Sequence, residues 1–366
     1  MSLPREWLRP QRSDPTPTPE PAVQAGVRNP SALDRDRLSN LGCLAPEGDN
    51  AIIVCHPLTD SADADTWWSP LFGPGQVLDP RRDFIVCSNC LGSCFGTTGP
   101  ASRAPDGRPW GGRFPKITVR DQVRVQMALA DALGIRQIRL VIGGSLGGLQ
   151  ALEWLYSMPS APRRWPVSPL RGDNLPGVLP GARRNGWRCG PMPVIEMAIM
   201  TPSPPYAGLA AARAIATLAY RSAVSLEQGY GRTVRGWLRH RGRALGERFD
   251  ANSYWVLLDA MDTHDLGRGR GPYQTVLKTI RQPVLIGSIP GDGLFCPSDQ
   301  QELASQIPAA RLLRIESSHG NDGFLIDAEG FRANLLAYKR ESTTPSIRSA
   351  PLSQYSNSGP GPCGPS

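Results

Sequence analysis

The run Ile138–Trp154, Ile-Arg-Leu-Val-Ile-Gly-Gly-Ser-Leu-Gly-Gly-Leu-Gln-Ala-Leu-Glu-Trp, constrains this chain more than any other segment. An apolar strand passes directly into Gly143-Gly-Ser145-Leu-Gly147, and an amphipathic helix follows at once. A Gly-x-Ser-x-Gly turn between strand and helix is a nucleophile elbow: it lifts a serine onto a tight, strained bend, and the glycines make room for the backbone. The helix N-terminus then offers unpaired N–H groups to a developing oxyanion. A Gly/Ser-rich turn can instead cradle a phosphate, but neither the Lys-Ser/Thr pair of a P-loop nor a G-x-G-x-x-G spacing is present. The segment therefore points to covalent acyl chemistry on Ser145.

The pattern around the elbow is an alternation of strands and helices. Ala51–Cys55, Phe84–Cys87, Ile138–Ile142, Pro283–Ile289 and Arg311–Glu316 read as strands. Thr118 reads as an N-cap with Asp121 at the third helical position. Val119, Val123, Met127, Ala130 and Leu133 then recur at helical spacing up to Gly134. Leu146–Ser157, Ala207–Ser222, Asn252–Met261 and Pro297–Ile307 are further helices. Such alternation implies a parallel sheet, which gathers functional groups at the carboxyl ends of its strands.

Ser145, Asp292 and His319 each fall just past a strand, in the order Ser…acid…His of α/β-hydrolases. Serine needs a positioned imidazole held by a carboxylate. Of His56, His240, His264 and His319, His319 is the best base, and Asp292 is preferred to Asp299 as the acid. The loop His56-Pro57-Leu58-Thr59 occupies the place of the second oxyanion donor. Pro57 has no N–H, which leaves Leu58 or Thr59, with Leu146 after the serine as the first donor.

The formal charge of +8 comes almost wholly from arginine, with Lys116, Lys278 and Lys339 the lysines. The arginines crowd into Pro/Gly-rich stretches without interleaved aromatics, so no nucleic-acid partner is expected. No apolar stretch is long enough for a membrane span, and the expected setting is cytoplasmic. Cys87-x-x-Cys90 with Cys94 lacks a second ligand pair, so no metal site is expected.

Several motifs resemble the homoserine O-acetyltransferase family within the α/β-hydrolase superfamily. They are Asn50–Thr59, Trp67-Trp68 with Gly73–Asp79, Leu91–Pro100, Phe114-Pro115 with Thr118–Asp121, Gly143–Trp154 and Arg248–Tyr254. The resemblance covers about 50–158 densely and 206–332 more sparsely. It implies an α/β-hydrolase fold: a mostly parallel sheet with helices on both faces and an inserted, mainly helical cap. It also implies ping-pong transfer of an acyl group from acyl-CoA, through Ser145, to an amino-acid hydroxyl, with acetyl-CoA a co-substrate and no bound cofactor. It further assigns Arg213 to the acceptor's carboxylate, Tyr220 to a polar contact and Asp322 to its amine. The partners are small molecules, and a homodimer is compatible.

The family's catalytic histidine directly precedes the Asp of a Gly-His-Asp sequence, whereas this chain has Gly320-Asn321-Asp322. His319 lies two residues earlier, up to ~7 Å away along an extended chain, and would serve if the loop re-registers around Gly320. The rival readings are succinyl transfer to serine or homoserine, an esterase or thioesterase, and a catalytically impaired homologue. The expected organisation is a disordered 1–45, core at 46–158 and 271–342, a cap at 159–270 with an atypical 159–193, and a disordered tail at 343–366.

Overall fold

The computed structural model describes residues 38–157, 177–180, 205–228 and 233–343. Seven strands form one sheet: β1 (Leu38–Leu41), β2 (Ala51–Cys55), β3 (Phe84–Ser88), β4 (Ile138–Gly143), β5 (Gly177–Pro180), β6 (Val284–Ser288) and β7 (Ala310–Arg314). Their order is β1-β3-β2-β4-β5-β6-β7. Only β1, at one edge, runs antiparallel to its neighbour.

The helices of five or more residues are α1 (Val119–Ala132), α2 (Leu146–Ser157), α3 (Pro205–Tyr220), α4 (Ala223–Glu227), α5 (Val234–Gly246), α6 (Ala251–Asp262), α7 (Tyr273–Lys278), α8 (Pro297–Gln306) and α9 (Ala328–Thr343). The expected cap on α1 forms: Thr118 accepts from the Asp121 N–H, and the Asp121 carboxylate accepts from the Thr118 N–H.

β2 is buried along its whole length because both sheet faces are covered. Ala51, Ile53 and Cys55 join a core with Val123, Leu149 and Leu152 of α1 and α2. Ile52 and Val54 point the other way, to Trp68, Leu71 and the α9 residues Phe331 and Leu335. Helices α3 and α5 pack together, and α3 also meets α6.

Two boundaries differ from the sequence reading. Leu38–Leu41, inside the stretch expected to be disordered, forms the edge strand, because β3 offers a free row of backbone hydrogen-bonding groups. Gly177–Pro180, inside the stretch assigned to the cap, instead bridges β4 and β6. Both strands are four residues long, too short to show a period. The rest of 159–193, the expected disorder of 1–37 and the tail from 344 lie outside the described residues.

Candidate active site

Ser145 sits between β4 and α2 with φ of 57°, the one positive φ of a non-glycine residue among those described. This is the strained elbow the sequence implies. Gly147 is required there: a Cβ on it would lie 2.0 Å from the Cys55 carbonyl oxygen. The absence of that Cβ lets α2 start directly against the end of β2. On the neighbouring β2 loop, the Arg248 guanidinium donates to the Thr59 carbonyl at 2.6 Å. That bond pins the segment carrying Leu58, Thr59 and Asp60.

Asp292 lies past β6, buried. Its Oδ1 accepts from the N–H groups of Leu294 at 2.8 Å and Phe295 at 2.9 Å. Its Oδ2 accepts from Asn321 Nδ2 at 2.9 Å. Asn321 stands in a short 3-10 turn, Gly320–Asp322, after β7, and lines the same cavity as Ser145.

The expectation that His319 serves as base is corrected by this loop. His319 Nδ1 lies 2.9 Å from Ser225 Oγ and 3.3 Å from Arg221 Nη1, on the side of α4, and the ring does not line the cavity. Gly320 does take the positive φ, 60°, that re-registration needs. That φ, however, presses the turn onto the end of α3: a Cβ on Gly320 would lie 2.4 Å from the Tyr220 carbonyl oxygen. The turn therefore sends Asn321 inward to Asp292 and His319 outward.

No other histidine replaces it. His56 is fully buried; its Nδ1 lies 2.7 Å from the Pro57 carbonyl, and its Nε2 accepts from the Cys90 N–H at 3.0 Å. Burial pulls its pKa down to about 4, so it is a neutral structural residue. Burial does the same to His264.

The cavity, about 350 Å³, brings together Leu58, Thr59, Asp60, Ser145, Arg213, Tyr220, Arg221, Tyr254, Asn321 and Asp322. The seven-residue spacing of Arg213 and Tyr220 puts the guanidinium carbon 5.2 Å from the Tyr220 ring centre. Burial opposes the Arg213 charge, yet Tyr220, Tyr254, Asp322 and Asp60 together hold its pKa above the usual arginine value.

Arg221, Asp60 and Tyr254 were not singled out in the sequence. Arg221, 7 % exposed, donates to Asp322 Oδ2 from Nε at 2.8 Å, with Nη2 also 2.8 Å away. A residue adjoining Tyr220 at a helix end carries no pattern that announces this pairing. Tyr254 is buried, which pushes its pKa up to about 12 against the lowering pull of the Arg213 guanidinium.

A serine on a strand-to-helix elbow at the end of a mostly parallel sheet, with a buried carboxylate past a later strand, defines a protein of the α/β-hydrolase class. Residues 50–161 match the family described as alpha/beta hydrolase fold. Homoserine O-acetyltransferase of Nostoc punctiforme is 44% identical over 314 residues, covering 78% of this chain and 85% of that protein. Homoserine O-acetyltransferase of Chloroherpeton thalassium is 43% identical over 320 residues, 82% of each. The chain belongs to the homoserine O-acetyltransferase family. The crystal structure of homoserine O-acetyltransferase from Bacillus anthracis superposes with a TM-score of 0.73 at 22% identity, over 82% of this chain and 91% of that one. Esterase E22 gives 0.71 at 22% identity, over 82% and 93%. At those identities the two structures attest to the fold. Among the described residues, no helix is long and apolar enough to cross a membrane.

Proposed function

We propose that this chain transfers the acetyl group of acetyl-CoA to the hydroxyl of L-homoserine by way of an acyl-Ser145 intermediate, in the cytoplasm. The observation that carries the reading is the single cavity in which Ser145 shares space with Arg213, Tyr220 and two carboxylates. A zwitterionic amino acid needs one cation and one anion at fixed separation, and the cavity supplies both. The 44% identity to a protein named homoserine O-acetyltransferase supports the same acceptor.

In the first half-reaction the Ser145 Oγ bonds to the thioester carbonyl carbon and the carbon–sulfur bond breaks. The serine proton ends on the departing thiolate. The N–H groups of Leu146 and Leu58 are the oxyanion donors in this reading. In the second, the acceptor hydroxyl oxygen takes the acyl carbon, and its proton returns to Ser145. Asp292 would orient the group beside the serine. In this chain that group is Asn321, whose amide donates to Asp292 and takes no proton. Ser145 thus reacts without imidazole assistance, which favours a slow transferase over a fast one.

The test is release of free thiol from acetyl-CoA with and without homoserine. Release that requires homoserine supports the transferase. Release without it makes the chain a thioesterase, and no release leaves a ligand-binding homologue.

A further inference from the structure

A second cavity, of about 660 Å³, lies at the other end of the sheet from Ser145. Arg139 lines it at the start of β4, whereas Ser145 follows the end of that strand. Six residues of extended chain, about 20 Å, separate the two. The two cavities share no lining residue.

Three parts of the chain converge on this second cavity. The loop before β3 supplies Arg81 and Arg82, β4 supplies Arg139, and the C-terminal end of α9 supplies Lys339 and Arg340. These five basic side chains face two carboxylates, Asp79 and Asp83, both buried. The carboxylates hold the walls together. Asp79 Oδ2 accepts from the Gly75 N–H at 2.7 Å, and its Oδ1 accepts from the Arg81 N–H at 3.0 Å. Asp83 Oδ2 accepts from Lys339 Nζ at 2.6 Å, and Lys339 also donates to the Val77 carbonyl at 2.7 Å. The loop is thus set in shape and tied to α9 by backbone N–H groups and a lysine, not by the guanidinium groups.

Those groups are left facing the cavity. Arg81 comes only within 3.7 Å of Asp79. Arg139 is oriented by its Nε, which donates to the Asp49 carbonyl at 2.9 Å, with Nη2 3.6 Å from the Asp49 carboxylate. The Arg82 side chain makes no hydrogen bond or ion pair with a described residue, although it acts on the Asp79 charge. Gathering a surplus of positive charge in one concavity costs self-repulsion, which a bound polyanion removes. Guanidinium forks grip phosphoryl oxygens in pairs, and several of them around one space suit a ligand with more than one phosphoryl group. The volume is in the range of small-molecule sites, well above what a single phosphate fills. Pro74 and Leu336 add an apolar wall.

We propose that this cavity binds a small molecule carrying a diphosphate or triphosphate, with Arg81, Arg82 and Arg139 on its phosphoryl oxygens. The site is independent of the chemistry read for the Ser145 cavity.

Calorimetric titration of the full chain with inorganic pyrophosphate, with ATP and with adenosine tests the assignment without requiring turnover. Pyrophosphate and ATP should each bind saturably at one site per chain, and adenosine should not. Equal affinity for pyrophosphate and ATP would place all recognition in the phosphates, and tighter ATP would add contacts to the nucleoside; either result supports the site. Arg82→Ala should weaken both anions about tenfold. Because that side chain has no partner to lose, the melting temperature of the free variant should stay unchanged. Arg82→Lys, which keeps the charge but not the fork, should fall between the two. Arg311→Ala, which removes an exposed arginine paired with Glu341, should leave binding unchanged. Absence of saturable binding overturns the proposal. So does equal weakening by Arg82→Ala and Arg311→Ala, which would reduce the attraction to the chain's overall positive charge.

Discussion

Asn321 Nδ2 donates to Asp292 Oδ2 at 2.9 Å, so the carboxylate that would hold a catalytic imidazole holds an amide. Asn321 also lines the cavity with Ser145. An amide in that place offers no nitrogen that can accept a proton. Asn321→His should supply it without moving Asp292, whose other oxygen is fixed by the N–H groups of Leu294 and Phe295. Loss of a triad member costs roughly 10⁴-fold or more. The substitution should therefore raise thiol release from acetyl-CoA at least about a hundredfold, allowing for imperfect placement. An unchanged rate would mean that the inward position is not the base position.

His319→Ala is the complementary variant. The ring's contacts are with Ser225 and Arg221, and none is with Asp292. Its loss should lower the melting temperature modestly, by about 1 kcal/mol of stability, while acylation of Ser145 stays unchanged. Abolished acylation would reinstate His319 as the base.

Ser145→Ala should remove the acetyl adduct seen by intact mass after exposure to acetyl-CoA. The positive φ of 57° at this position is tolerated only as part of the elbow. Melting temperature should therefore change far less than adduct yield. An adduct that persists on the variant would place the acyl group elsewhere.

The parts of the site that were legible in the sequence share a physical cause. Ser145 and Asp292 could be placed because each follows a strand long and apolar enough to be seen, and a parallel sheet brings strand ends together. The Thr118–Asp121 cap was legible because capping is local chemistry. Leu38–Leu41 and Gly177–Pro180 were not, because their pairing comes from neighbours distant in the chain. The orientation of His319 was also out of reach. It depends on how closely Gly320 approaches the Tyr220 carbonyl, a contact made across 100 residues of sequence. Asp60 was missed because one acidic residue in a loop carries no pattern, and the arginines that act on it come from distant parts of the chain.

Arg213→Ala separates the two half-reactions. The guanidinium sits over Tyr220 and makes no ion pair with described residues, so its charge is available to a ligand carboxylate. Charge-assisted bonds are worth about 1.5–3 kcal/mol. Homoserine affinity should therefore fall more than about tenfold, while acylation by the thioester is largely kept. Equal damage to both half-reactions would assign Arg213 to the architecture of the cavity instead.

The protonation of Asp60 gives the last test. Burial pushes its carboxyl up to about 6, against the lowering pull of Arg248, Arg213 and Arg241 and with Asp322 adding to the rise. As pH falls through that value the carboxyl takes a proton, and the effect on stability follows from that. Between the ordinary carboxylate value of about 4 and about 6, the folded chain holds a proton that the unfolded chain releases, so this group's contribution declines as pH rises. Above pH 6 the buried charge costs stability in full, and Asp60→Asn should raise the melting temperature at pH 7.5 by roughly 2–4 °C. The gain should shrink toward pH 4. A variant less stable than wild type at pH 7.5 would show that the attraction of Arg248, Arg213 and Arg241 outweighs the cost of burying the charge.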